Sequence, residues 1–245
     1  MHFSGNLITT VWVDLDDTLI DFTTNANTAL LRMHSSETLL QRLFTDPAQW
    51  VETYERHNLH LWDLYARAEI SRDYLRMERF RLPLTEAGLD DASARLAAER
   101  YDTLYLDYLA EERTLMPGAL DLMKWLKRQP DIKVGCLSNG FKDVQFRKIR
   151  RASLEPYFDL VVLSDDIGVQ KPDPRLYRYA EEQAGDTDQK HHLMIGDNPA
   201  TDVGGALGAG WNAVWFHPLR AADAPCPEGA TEIRDLAQLY PLLRG

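Results

Sequence analysis

The stretch Asp14-Leu15-Asp16-Asp17-Thr18 follows directly on the apolar run Ile8-Thr9-Thr10-Val11-Trp12-Val13. Such a run reads as a buried strand, and two carboxylates two residues apart leave it on the same face. They sit where a strand hands over to a loop, which is where open α/β sheets carry their chemistry. Desolvated carboxylates cost several kcal/mol each unless something compensates, and a bound cation is a usual remedy. The stretch therefore reads as a magnesium site with a carboxylate nucleophile beside it.

Three further stretches follow in chain order. Cys136-Leu137-Ser138-Asn139-Gly140 closes an apolar run that begins at Ile132. Gln170-Lys171-Pro172-Asp173-Pro174 precedes a helical segment, and Met194-Ile195-Gly196-Asp197-Asn198-Pro199-Ala200-Thr201-Asp202 ends another strand. A D-x-D-x-T, a hydroxyl residue, a Lys before Pro and a G-D-x-x-x-x-D, in that order, resemble the four motifs of the haloacid dehalogenase (HAD) superfamily. The resemblance covers nearly the whole chain. It implies a Rossmann-like α/β core, a parallel sheet flanked by helices, with an all-helical cap inserted. It also implies phosphoryl chemistry, because the dehalogenase branch lacks an acid two residues after its nucleophile and Asp16 stands there.

On that resemblance Asp14 attacks phosphorus and forms an aspartyl-phosphate, dividing one hard hydrolysis into two easier steps. Asp16 protonates the leaving alkoxide and then deprotonates the attacking water. Thr18 hydrogen-bonds locally and shapes the turn. Ser138 supplies a hydroxyl, and the backbone amides of Asn139 and Gly140 follow at a turn, all suited to phosphate oxygens. Lys171, in a loop fixed by Pro172 and Pro174, offsets repulsion between Asp14 and a phosphate dianion. Asp14, Asp197 and, as the family has it, the backbone carbonyl of Asp16 would bind Mg²⁺, which favours hard oxygen ligands and retained waters. Asp202 either holds a metal water or Lys171, or is an ordinary aspartate in a helix first turn. Asp165 and Asp166 read as polar loop. His57 with His60, and His191 with His192, have no Cys or acidic partner at metal-binding spacing.

The bulk properties exclude several classes. The 245 residues suffice for one large domain or a domain with an insertion. A formal net charge of −11 argues against nucleic acid and anionic membranes as partners, since those need a basic face. The expected partner is a small phosphate ester; oligomeric state is left open. Cys136 and Cys226 lie far apart in unlike contexts, and Cys136 reads as a buried thiol. No run approaches the ~20 apolar residues of a membrane span or resembles a signal peptide, so the cytoplasm is the expected location.

Short β-rich runs occupy residues 8–14, 132–138, 160–164, 193–196 and 213–216. Helical segments lie between them: one opened by Pro117, then 142–152, 174–184 and 199–209. Residues 221–229 form a Pro- and Gly-rich loop, and Leu236, Leu239, Leu242 and Leu243 mark a short closing helix. Between about 23 and 112 the chain is helix-like, with about four helices and capping signals at Asp46-Pro47, Ser71 and Asp90. This is a βα core (1–22 and 113–245) interrupted by a helical cap (23–112). Two linkers, near 22 and near 112, let such a cap open to admit substrate and close to exclude water.

The cap phrase Tyr54-Glu55-Arg56-His57-Asn58-Leu59-His60-Leu61-Trp62, with the later Arg79-Phe80, resembles the HAD pyrimidine 5′-nucleotidases of the house-cleaning type. The core phrase Gly168-Val169-Gln170-Lys171-Pro172 resembles the same branch. Asn58, Trp62, Arg79 and Phe80 match its pattern. Asn58 and Trp62 are i, i+4 on one helix face, where a ring can stack on a base and an amide can read its edge. Phe22, just after the first motif, is a second stacking candidate. The implied substrates are nucleoside 5′-monophosphates, pyrimidine ones first. The rivals are a sugar-phosphate or phosphoglycolate phosphatase, a phosphomutase on the same core, and a non-catalytic binding protein.

Overall fold

The computed structural model describes residues 1–218 and 224–243. It opens on a short antiparallel hairpin, β1 (His2–Phe3) and β2 (Asn6–Leu7), turned by Ser4 and Gly5 with φ of 49° and 83°. Two successive positive φ values suit a tight two-residue hairpin turn. β3 (Thr10–Val13) follows, buried on both faces. Later come β4 (Lys133–Ser138), β5 (Leu160–Leu163), β6 (His192–Gly196), β7 (Asn212–Phe216) and β8 (Thr231–Ile233). These form a six-stranded sheet in the order β5-β4-β3-β6-β7-β8, every neighbouring pair parallel. Parallel strands covered on both faces need continuous apolar runs, which is what the sequence supplies.

The chain steps outward from β3 to β4 and β5, then returns to the other side of β3 for β6, β7 and β8. Such a reversal opens a crevice at the carboxyl ends of the central strands. Asp14 follows β3, Ser138 ends β4 and Asp197 follows β6. The topology thus brings residues far apart in sequence to one end of the sheet.

Helices cover both faces. Val11 and Val13 share one core with Leu122, Met123 and Leu126 of α6 (Ala119–Lys127) and Ile149 of α7 (Lys142–Arg151). Trp12 points the other way, into a core with Leu176, Tyr177 and Ala180 of α8 (Pro174–Ala184) and Ala206 of α9 (Gly205–Gly208). Alternation along β3 makes both cores from one strand. A short helix, α10 (Leu239–Leu242), adds Leu239 to the first core.

The chain divides into two compact units, Met1–Phe22 with Arg113–Gly245, and Thr23–Glu112. The second unit holds α1 (Phe22–Ser36, from its second residue), α2 (Thr38–Leu43), α3 (Pro47–Ala66), α4 (Arg72–Glu86) and α5 (Asp91–Glu111). Asp46, Ser71 and Asp90 cap α3, α4 and α5 by accepting from the backbone amides of Ala48, Tyr74 and Ser93. Trp50, Tyr54, Phe80, Tyr101 and Tyr105 form its aromatic centre.

Several expectations need correction. The insertion has five helices rather than four. α1 and α2 part at Glu37, and Ser35 and Ser36 just before it donate their hydroxyls to the carbonyls of Leu31 and Met33, competing with the helical ladder. Pro117 does not open a helix; α6 starts two residues on, behind Gly118 at φ 79°. The segment after Asn198 begins as a π-helical stretch, Pro199–Gly204, before α9. β8 is a sixth, three-residue edge strand. Residues 221–223 of the expected loop lie outside the described residues. Among the described residues, no helix is long and apolar enough to cross a membrane.

At the opposite end of the sheet from the site, Asp186 joins three elements. It accepts from the Thr9 hydroxyl at 2.8 Å, the Asp188 amide at 3.0 Å and the His191 ring at 2.9 Å. Burial pulls its pKa up, but these hydrogen bonds outweigh burial and hold it at about 2. A depressed folded pKa gives stability that is present above the unfolded value near 4 and lost as pH falls through about 2. Asp186→Asn is expected to cost about 2 kcal/mol at pH 7 and much less at pH 2, read by urea unfolding at both pH values. A pH-independent cost would mean that shape, not charge, holds this corner.

Candidate active site at the sheet switch point

β3 delivers Asp14 to the crevice with 6% of its surface exposed. The Asp14 amide donates to the Ile195 carbonyl at 2.9 Å, so the backbone is still held by β6 as it leaves the sheet. Lys171 is 2% exposed, and each of its three ammonium protons has a taker. It donates to Asp14 Oδ1 at 2.6 Å, Asp202 Oδ1 at 2.6 Å and the Leu137 carbonyl at 2.7 Å. Burial works against the ammonium, but the Asp14 and Asp202 carboxylates reverse that and raise its pKa.

Asp202 is engaged at both oxygens, Oδ1 by Lys171 and Oδ2 by the Asn198 amide at 3.0 Å. A side chain at Gly196 would meet the Asp202 carboxyl, since a Cβ there lies 2.3 Å from its Oδ2. The glycine before Asp197 therefore makes room for the aspartate that aims Lys171. Asp197 has its backbone carbonyl fixed by the Trp215 indole at 2.8 Å.

One buried ammonium faces three carboxylates here. Oxygens of Asp14, Asp197 and Asp202 all lie within 4.8 Å of one another. Burial, then the neighbouring carboxylates, push Asp14 up to about 7 and Asp197 well above the ordinary carboxylate range, with Lys171 opposing. Crowded hard oxygens with an excess of negative charge fit a divalent cation such as Mg²⁺. Among the described residues this is the one cluster of three or more such ligands.

Asp16 occupies a different pocket of charge. Its two oxygens accept from Lys148 Nζ at 2.7 and 2.9 Å, and Oδ2 also accepts from Gln145 Nε2 at 2.9 Å. Gln145 Nε2 reaches the Ser138 hydroxyl too, at 2.7 Å. Gln145 and Lys148 are absent from the sequence-derived site set. Their signal lies in α7, where Gln145 joins Ile149 as the buried residues of the helix. A glutamine at i with an apolar residue at i+4 is a polar intruder on a core-facing stripe.

Ser138 is 2% exposed at the end of β4. The Gly140 amide donates to its hydroxyl at 3.3 Å, so that amide is engaged within the turn. The Asn139 side chain is spent on the Lys171 backbone, accepting from its amide at 2.7 Å and donating to its carbonyl at 3.0 Å. Asn139 thus ties the Ser138 turn to the Lys171 loop and keeps only its backbone amide for a ligand. Thr18 does not make the expected local hydrogen bond. It is fully buried with its hydroxyl unpartnered, because backbone bonds from Leu19 and Ile20 to the Leu15 carbonyl already close the turn.

The family model for haloacid dehalogenase-like hydrolases matches residues 8–210, which includes every residue of this site. The chain belongs to the haloacid dehalogenase-like hydrolases. It is 31% identical over 239 residues to the pyrimidine 5′-nucleotidase YjjG of Escherichia coli strain K12, with 95% of each chain covered. The pyrimidine 5′-nucleotidase PynA of Streptococcus pneumoniae is 29% identical, covering 84% of this chain and 82% of PynA. The crystal structure of the HAD-hydrolase YfnB of Bacillus subtilis bound to magnesium superposes with a TM-score of 0.81 at 28% identity, over 98% of this chain and 100% of that one.

Within this HAD hydrolase the helical unit places its expected ligand residues unequally. Phe80 is fully buried between Trp50, Tyr54 and Tyr105, and offers no face to a ligand. Arg79 is 5% exposed and pairs with Asp102. Both are corrected from ligand contacts to the interior of their unit, where aromatic packing and a neutralised charge are the stable arrangement. Asn58 and Trp62 remain partly exposed on α3. In the first unit Phe22 lies with its ring centroid 4.1 Å from Lys148 Nζ. His57 bonds Glu86 at 2.7 Å, and His192 accepts from the Trp12 indole at 3.1 Å and stacks on Trp211.

Proposed function

We propose that this HAD hydrolase cleaves phosphate monoesters of small molecules through an aspartyl-phosphate, with pyrimidine nucleoside 5′-monophosphates its preferred class. The observation that carries the proposal is the pair of separately held carboxylates. Asp14 sits on Lys171, and Asp16, two residues on, sits on Lys148 and Gln145. A nucleophile and an acid–base group in distinct settings can divide the two roles.

Asp14 attacks phosphorus, and the electron pair of the breaking P–O bond goes to the leaving oxygen. Asp16 gives that oxygen a proton. Water then attacks the phosphorus of the aspartyl-phosphate, loses its proton to Asp16, and returns the bond pair to Asp14. Lys171 offsets the dianion as it nears Asp14, and Ser138 with the Asn139 amide holds phosphate oxygens. Asp14, Asp197 and the Asp16 backbone carbonyl would hold Mg²⁺, which when bound draws negative charge off the phosphoryl oxygens.

Base selection is assigned to Asn58 and Trp62. The likeness to YjjG and PynA supports it, and so does the partial exposure of both side chains. Trp62→Ala is expected to raise KM for UMP about tenfold or more and leave KM for 4-nitrophenyl phosphate nearly unchanged. Equal effects on both substrates would give Trp62 a packing role only.

The deciding experiment is phosphate release from UMP, dUMP, dTMP, CMP, AMP, GMP, glucose phosphates and phosphoglycolate, with Mg²⁺ and with EDTA. Mg²⁺-dependent release favouring pyrimidine nucleotides supports the proposal. Preference for sugar phosphates keeps the mechanism and removes the nucleotide assignment. No release from any ester overturns it, and isomerised product would then identify a mutase.

A further inference from the structure

We propose that Gln145 and Lys148 are positioning residues for the acid–base step, Gln145 linking the phosphate-binding hydroxyl to the Asp16 carboxyl. The inference rests on the phosphatase reading above. Its basis is a complete set of donors around two acceptors. A carboxylate offers about four lone-pair positions, and Lys148 and Gln145 fill three of those on Asp16. One direction is left for the leaving oxygen or the attacking water. The Ser138 hydroxyl has two acceptor positions, filled by Gln145 Nε2 and the Gly140 amide. Its own proton is then the group left to point at a phosphate oxygen. Both protons of one amide thus set the polarity of the phosphate site and the rotamer of the acid.

Two further observations point the same way. Gln145 is fully buried, and its Oε1 has no hydrogen-bond partner. The amide cannot turn over to relieve this, because Asp16 Oδ2 needs a donor there. An unsatisfied buried oxygen is a cost that packing alone does not explain. Gly140 makes room for the amide, since a Cβ at that position would lie 2.4 Å from Gln145 Nε2. The glycine of the Ser-Asn-Gly turn is therefore matched to Gln145. On the other side the Phe22 ring faces Lys148 Nζ, which restrains the lysine against Asp16.

A positioning role for Asp16 predicts a dependence on the leaving group. An alkoxide needs a proton as it departs, and a nitrophenolate does not. The ratio of kcat/KM for an alkyl phosphate to that for 4-nitrophenyl phosphate isolates this requirement. kcat/KM stops at formation of the aspartyl-phosphate, so the later use of Asp16 as a base does not enter. The alkyl ester is the one that the unmutated protein turns over fastest in the panel above.

The ratio is expected to fall about tenfold or more in Lys148→Met, Gln145→Leu and Gly140→Ala, and to stay near the starting value in Lys148→Arg. Losses common to both substrates, from altered phosphate binding or partial misfolding, cancel in it. Gly140→Ala reaches the amide from the turn side and decides the matter if Gln145→Leu does not fold. Unchanged ratios in folded Lys148→Met and Gly140→Ala would overturn the inference while leaving the phosphatase reading intact. If the unmutated protein hydrolyses neither ester, the phosphatase reading fails and this inference falls with it.

Discussion

Asp14→Asn is expected to lower kcat by about 10⁴-fold or more in the presence of Mg²⁺, with the protein fully folded. An amide is a poor nucleophile and cannot form the aspartyl-phosphate. The same change is expected to raise the melting temperature of the metal-free protein by several degrees at pH 8. Burial, reinforced by Asp202 and Asp16, pushes the Asp14 pKa to about 7 against the pull of Lys171. For a carboxyl with a raised folded pKa, stability is lost as pH climbs from the unfolded value near 4 through about 7. Asparagine removes that penalty, so the gain is absent near pH 4, grows as pH rises and is full above about pH 7. Activity without stability change would keep neither role for Asp14. Loss of activity with loss of stability would make it a structural carboxylate.

The fold was legible where the sequence carried unbroken apolar runs. β3, β4, β6 and β7 are buried on both faces, and such strands need no alternation to be recognised. β8 escaped because it is a three-residue edge strand that follows a loop, too short for any period to register. The β1–β2 hairpin about Ser4-Gly5 went unread, because its two-residue strands are too short to carry any period. In the site, the ordered motifs place Asp14, Ser138 and Asp197 at strand ends and Lys171 in the loop before α8, and the sheet topology brings them together. Gln145 and Lys148 were not legible in the same way. Lys148 on a charged helix reads as solvated surface, Gln145 shows only as a polar residue on the apolar stripe, and the approach of α7 to the Asp16 loop is what gives both their contacts. Arg79 and Phe80 misled for the converse reason. Their sequence pattern marks a helix face and is silent on whether that face turns toward a ligand or into its own unit.

Lys171→Met is expected to abolish activity and also to destabilise the first unit by about 3–5 kcal/mol at pH 7.5 without metal. Methionine fills much the same volume, so the effect comes from charge. The ammonium satisfies two carboxylates and one carbonyl, all buried, and its loss strands Asp14 and Asp202 together. In a chain of this length that corresponds to a drop of roughly 10 °C in melting temperature. The pH dependence distinguishes stranded charge from lost packing. The deficit shrinks on acidification as the stranded carboxylates take up protons, whereas a packing defect persists. Adding Asp14→Asn to Lys171→Met is expected to recover part of the loss, because one of the two stranded charges is gone. Mg²⁺ is expected to stabilise Lys171→Met more than the unmutated protein, since the cation takes over part of the neutralisation. Equal stability with and without Lys171 would show that the three carboxylates do not crowd as this geometry has them, and the case for a cation held by Asp14 and Asp197 would go with it.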